Sequence, residues 1–144
     1  MARIEPFRAL RPQPGVAAKV ASPPYDVLSS DEARALAEGN PVSFLHVNKP
    51  EIDLAPGIDV YAPEVYAKGA DNLRRMVRDG VFLRDVRPSL YLYRQVMGDH
   101  TQTGLVAGTS IDEYESDLIK KHEHTRPKKE DDRTRHIDAL DAKT

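Results

Sequence analysis

The sequence predicts an α+β fold: a small mixed β-sheet with flanking helices and a charged C-terminal helical segment. Three observations carry this. Pro63–Asp79 spaces Val65, Tyr66, Leu73, Met76 and Val77 along one helical face. Ser89–Met97 and Thr101–Ile111 are β-rich and separated by the short Gly98-Asp99-His100 loop, which predicts an antiparallel hairpin. Ile119–Leu140 is mostly cationic, anionic or histidine, and its Ile137 and Leu140 recur at helical spacing.

The 144 residues suffice for one domain with a modest core, expected to span residues 1–144. The chain is 40% hydrophobic and 31% charged, which fits a globular protein rather than a disordered one. A formal net charge of -2 argues against a dedicated nucleic-acid binder, which is normally clearly basic. With no cysteine, disulfides, thiolate chemistry and cysteine-based zinc sites are excluded. Met1–Leu10 lacks the apolar core of a signal peptide, and no apolar run approaches the roughly 20 residues of a membrane span. A cytoplasmic, membrane-free protein is the expectation; composition does not fix the oligomeric state.

Each element has its own local reason. Ile4–Leu10 is an extended entry and Arg11–Gly15 a proline-punctuated loop. Val16–Ala21 reads as a short strand running into Ser22-Pro23-Pro24, where two prolines fix an extended backbone. That backbone aims Tyr25 and Asp26 in a defined direction just past a strand end, a common ligand position, although a rigid surface turn would look the same. Ser30 reads as the N-cap of a short helix that Gly39 stops. Val42–Val47 has strand composition, with His46 more readily a packed residue than a ligand. Lys49–Gly57 reads as a loop. Pro63 suits the first position of the long helix, Gly69 weakens it slightly, and Gly80 ends it. After the hairpin, Asp112 reads as the cap of a final turn, and Arg133–Lys143 as helical.

The charged segment supports four chemistries. A metal site could draw on His122, Glu123, His124 and His136, but the i, i+4 histidine pair of helical zinc sites is missing. An anion site could use Lys121, Arg126 and Arg133, with Thr125 giving a hydroxyl and arginine forks matching phosphate oxygens. In that site His122, Glu123 or His136 would handle a proton, and Asp26 or Glu130 would position a divalent ion. Glu130-Asp131-Asp132 would repel a nucleic-acid backbone, and no aromatic is interleaved. The fourth possibility is a solvated helix laced with pairs such as Lys128 with Asp132. Neither GxxxxGK[ST] nor GxGxxG occurs, so the strongest nucleotide signatures are lacking. The anion site and the solvated helix both stand.

PFRAL at Pro6–Leu10, SPPYDV at Ser22–Val27, NPVSFLHV at Asn40–Val47, YLYRQ at Tyr91–Gln95, TGLVAG at Thr103–Gly108 and the HEHT…KEDDR…H pattern occur in order. Together they resemble the start of a broad prokaryotic family, domain of unknown function 1015. The resemblance implies that this chain is the N-terminal portion of a longer protein. It also implies a later DGHHR-like motif similar to ParB and sulfiredoxin-like proteins, a group that includes nucleotide-dependent free-serine kinases. The functional expectation is a phosphoryl-transfer or hydrolase enzyme, kinase- or phosphatase-like. Its substrate would be a small phosphorylated metabolite or nucleotide, in serine metabolism by the resemblance, with Mg2+ and ATP or ADP as cofactors. The alternative is a non-catalytic regulatory module that binds an anion or a partner.

Overall fold

The computed structural model describes residues 2–120 and 125–144. In chain order its elements are β1 (Ile4–Glu5), β2 (Leu10–Pro12), α1 (Ala17–Val20), α2 (Ser30–Ala37), α3 (Leu45–Asn48), α4 (Pro63–Arg78), β3 (Phe82–Arg84), β4 (Tyr91–Met97), β5 (His100–Val106), β6 (Gly108–Thr109), α5 (Ile111–Glu115) and α6 (Pro127–Leu140). Short 3-10 turns cover Tyr25–Val27 and Pro50–Asp53. The architecture is α+β, with the strands in two-stranded sheets. Packing divides the chain into two compact units, Pro12–Leu83 with Thr125–Thr144, and the described parts of Met1–Arg11 and Arg84–His124.

The larger unit is built on α4. Pro63 occupies its first turn, where a missing N–H costs nothing, and Gly80 follows its end at φ +73°. Val65, Tyr66, Leu73 and Met76 are buried as the spacing predicts, with Ala70 buried alongside them, whereas Val77 is exposed. Gly69 does more than weaken the helix. A Cβ there would stand 3.1 Å from Pro50 Cγ and 3.1 Å from the Val47 carbonyl oxygen, so glycine lets α4 close on the chain at Val47–Pro50.

Two expected strands are helical. Val16–Ala21 forms α1, because the N–H groups of Lys19 and Val20 both reach the Val16 carbonyl and Ala17-Ala18-Lys19 are good helix formers. Tyr25 and Asp26 therefore follow a helical turn rather than a strand end. Val42–Val47 likewise finds no partner strand. It folds back on itself through Ser43 N–H to Asn40 and Val47 N–H to Phe44, giving α3. The expected loop at Lys49–Gly57 contains the 3-10 turn, whose Pro50, Glu51 and Ile52 are buried. His46 is a packed residue, its Nδ1 2.9 Å from Asp53 Oδ1 and its Nε2 3.1 Å from the Asn40 carbonyl.

The cap of helix α2 lies one residue before the expected Ser30. Ser29 is the cap, because Glu32 lies three residues on and closes a capping box. The Ser29 N–H donates to Glu32 Oε2 at 2.8 Å, and the Glu32 N–H returns to Ser29 Oγ at 3.3 Å. Ala33, Ala37, Leu45 and Ile52 form one apolar cluster, with Leu28 packed against it.

In the smaller unit, β4 and β5 pair antiparallel from Tyr91↔Val106 to Met97↔His100, as expected. Gly98, at φ +58°, supplies the left-handed backbone of the tight turn. β1 pairs with β6. Arg11 grips Asp85 with two guanidinium nitrogens, at 3.1 and 2.7 Å from Oδ1, and the Tyr91 hydroxyl donates to Asp85 Oδ2 at 2.6 Å. Arg11 first, then Tyr91, hold the Asp85 carboxyl below its ordinary range. Ser110, not Asp112, caps α5, accepting from the Glu113 N–H at 3.3 Å. A serine hydroxyl preceding the helix is placed to reach that N–H, whereas Asp112 already lies inside the first turn.

Candidate functional site

The inner face of α6 decides what the charged segment does. The helix begins at Pro127, six residues before the expected start, with proline again in the first turn. Asp132, His136 and Leu140 recur every four residues and are buried against the rest of the larger unit. Residues 126–131 are exposed, as a solvated helix would be. The expected pair of Lys128 with Asp132 does not form. Asp132 instead accepts from the Tyr66 hydroxyl at 3.0 Å and from Arg133 Nη2 at 3.0 Å, while the Lys128 ammonium lies 4.5 Å over the Tyr61 ring. The i, i+4 pair that does form joins Asp131 to Arg135 at 2.9 Å.

A cleft of about 130 Å³ opens beside this face. Its floor is His136, which is 1% exposed and has Nε2 2.9 Å from the Val47 carbonyl. One wall is Tyr25, carried past Pro23-Pro24 on the 3-10 turn, with Asp26 next to it. The Arg133 guanidinium lies 4.0 Å from the Tyr25 ring centroid, a cation–π contact, and Lys129 reaches within 5.8 Å of the same ring. The other wall comes from α3 and the turn after it. There Lys49 pairs with Glu51 at 3.0 Å, both side chains largely buried, and Ser30 Oγ donates to Glu51 Oε1 at 2.8 Å.

Electrostatically the cleft mixes signs in a small volume: Lys49, Lys129 and Arg133 face Asp26, Glu51 and Asp132. Burial pushes the His136 ring below the ordinary histidine range; the Val47 carbonyl and Asp132 oppose this, and Arg133 adds to it. Burial first, then the bond to Asp132, raises the Tyr66 hydroxyl to about 12, so Tyr66 is a fixed neutral donor at physiological pH. Two buried polar atoms of cleft-lining residues, His136 Nδ1 and Asn48 Oδ1, have no hydrogen-bond partner among the described residues.

Of the candidate residues read from the sequence, Tyr25, Asp26, Arg133 and His136 come together in this cleft. Thr125, Arg126 and Glu130 do not line it: all three are exposed, and the Thr125 hydroxyl donates to Glu130 Oε2. Lys121, His122 and Glu123 lie outside the described residues. The sequence reading missed Asn48, Lys49, Glu51 and Tyr66. Lys49 and Glu51 flank Pro50 in a stretch with no periodicity, and no signal in the sequence marks them as buried. Among the described residues no group of three or more His, Asp or Glu converges to hold a metal ion, and no helix is long and apolar enough to cross a membrane.

No curated protein and no solved structure matches this chain. A family model described as protein of unknown function DUF1015 matches residues 4–144, nearly the full length, and the chain belongs to that family.

Proposed function

We propose that the Tyr25–Arg133–His136 cleft binds the phosphate of a small phosphorylated metabolite, as part of a phosphoryl-transfer or phosphate-hydrolysing enzyme. The observation that supports this is the Arg133 guanidinium held 4.0 Å from the Tyr25 ring centroid at the cleft. Its bonds to Asp132 use only part of its donor set, and the planar fork left over suits a phosphate oxygen pair. Lys129 adds a point charge beside it.

A small ester fits this reading better than a bare nucleotide pocket, since the cleft is compact and the chain has no glycine-rich phosphate loop. Glu51 and Asp132 are already paired with Lys49 and Arg133, which leaves Asp26 as the carboxylate for a magnesium ion arriving with ATP or ADP. His122 and Glu123 are the proposed proton-handling residues. A non-catalytic anion-binding module is the second reading, favoured by one observation: both buried carboxylates of the cleft are tied up as structural partners instead of standing ready as bases.

Thermal unfolding of the chain against inorganic phosphate and ethyl phosphate, with and without magnesium, tests the site. A concentration-dependent rise in Tm that Arg133→Ala removes is the expected result. An unchanged Tm at millimolar ligand would sink the proposal. Phosphate release or transfer from ATP or ADP distinguishes the enzyme from the module.

A further inference from the structure

Lys49 and Glu51 form an ion pair at a place that solvent reaches only in part: their side chains are 12% and 7% exposed, with Nζ 3.0 Å from Oε1. Such a pair adds little to stability by itself, because desolvating two charges offsets most of their attraction. Both residues line the cleft. The backbone fixes Lys49 there, since its N–H donates to the Leu45 carbonyl at 2.8 Å and its carbonyl accepts from the Ile52 N–H at 3.1 Å. An ammonium carries three N–H groups, and Glu51 is the one acceptor paired with this one among the described residues.

Arg133 is held in the same manner on the other wall, its Nη2 3.0 Å from Asp132 Oδ2. Each carboxylate is in turn tied by a neutral hydroxyl, Glu51 by Ser30 at 2.8 Å and Asp132 by Tyr66 at 3.0 Å. The cleft therefore contains the same arrangement twice. A hydroxyl fixes a carboxylate, and the carboxylate fixes a cation that has donors to spare.

We propose that Lys49 is a second phosphate-binding residue, and that Lys49 and Arg133 hold one phosphate group from the two walls of the cleft. This rests on the phosphate reading of the same cleft and narrows it: the ligand is a phosphate monoester, not a diester. A monoester offers three unsubstituted oxygens and, above its second pKa of about 6, close to two charges. A diester offers two such oxygens and a single charge. Two cations on separate walls of a cleft of about 130 Å³ suit the monoester. Glu51 and Asp132 are then positioning residues that aim the cations.

The test is calorimetric titration of the whole chain with ethyl phosphate and diethyl phosphate at about pH 8, above the second ionisation of the monoester. Carbon-13 NMR of the lysine Cε groups runs alongside it. Ethyl phosphate should bind about tenfold or more tighter than diethyl phosphate, and it should move the Lys49 Cε signal. Lys49→Met combined with Glu51→Gln removes both charges together, so neither is left buried alone, and the amide keeps an acceptor for Ser30. In that variant the affinity for ethyl phosphate should fall about tenfold, and the preference over diethyl phosphate should shrink. Ethyl phosphate binding no tighter than diethyl phosphate would overturn the inference and leave the phosphate reading intact. So would an unmoved Lys49 signal at saturating ethyl phosphate, or an unchanged affinity in the folded double variant. If the double variant does not fold, the Lys49 signal of the native chain decides. Binding of neither ester would remove both readings together.

Discussion

The His136 side chain reaches the Val47 main chain across 89 residues of sequence, donating Nε2–H to its carbonyl at 2.9 Å. This one bond pins α6 beneath α3, fixes the imidazole tautomer, and meets the Val47 oxygen that also crowds Gly69. Fold and site therefore share an atom.

Acid should weaken the larger unit through His136. Its pKa is lowered in the folded state by burial, so the unfolded chain binds the proton more readily. The stabilising effect is complete above the unfolded value of about 6.5 and is lost as pH falls through that value toward the folded one. Urea midpoints taken from about pH 7.5 down to about pH 5 should fall more steeply for the native chain than for His136→Gln. Parallel slopes would show that this ring does not titrate on unfolding.

Gly69→Ala pits two effects against each other. Alanine is the better helix former by about 1 kcal/mol. Its Cβ, however, meets Pro50 Cγ and the Val47 oxygen at 3.1 Å, and that oxygen is held by His136. Overpacking against fixed backbone costs roughly 1–3 kcal/mol, so a net loss is expected. A higher urea midpoint for Gly69→Ala would mean that the α3 segment yields.

Tyr66→Phe removes the buried hydroxyl that donates to Asp132. The expected cost is about 1–3 kcal/mol, because one carboxylate oxygen loses its partner away from water. In the native chain, Tyr66 should ionise near its raised pKa of about 12 in an ultraviolet titration. Since the unfolded phenol ionises first, stability from this group declines as pH rises between about 10 and about 12. Tyr66→Phe should be less sensitive to alkali over that window.

Ser29→Ala should cost about 0.5–2 kcal/mol, the usual range for an N-cap, while Ser30→Ala costs the cap nothing. The Ser29 hydroxyl and the Glu32 carboxylate satisfy each other's N–H groups, and Ser30 Oγ is turned to Glu51 instead. No loss for Ser29→Ala, measured by urea unfolding, would contradict the capping geometry.

Tyr25→Leu tests the ring beneath Arg133. A cation–π contact of this kind contributes about 0.5–2 kcal/mol. The contact exists without ligand, so melting temperature should fall by a few degrees, and loss of the ring that positions Arg133 should lower phosphate affinity several-fold in titration calorimetry.

Local rules determined the elements whose signals lie within a few residues. The amphipathic spacing of Pro63–Asp79 gave α4 to within a residue, and Gly98 between two β-rich runs gave the hairpin. Family membership was equally legible, because motifs in order are a property of the sequence. Tertiary structure decided Val16–Ala21 and Val42–Val47, whose strand composition had no partner strand and closed into helical turns. It also decided which charges matter. Composition treats Arg126, Glu130, Asp132 and Arg133 alike, but only burial of one face of α6 sends Asp132 to Tyr66, Arg133 to Tyr25 and His136 to Val47. A side chain's charge is written in the sequence; the partner that uses it is set by packing between segments up to 89 residues apart.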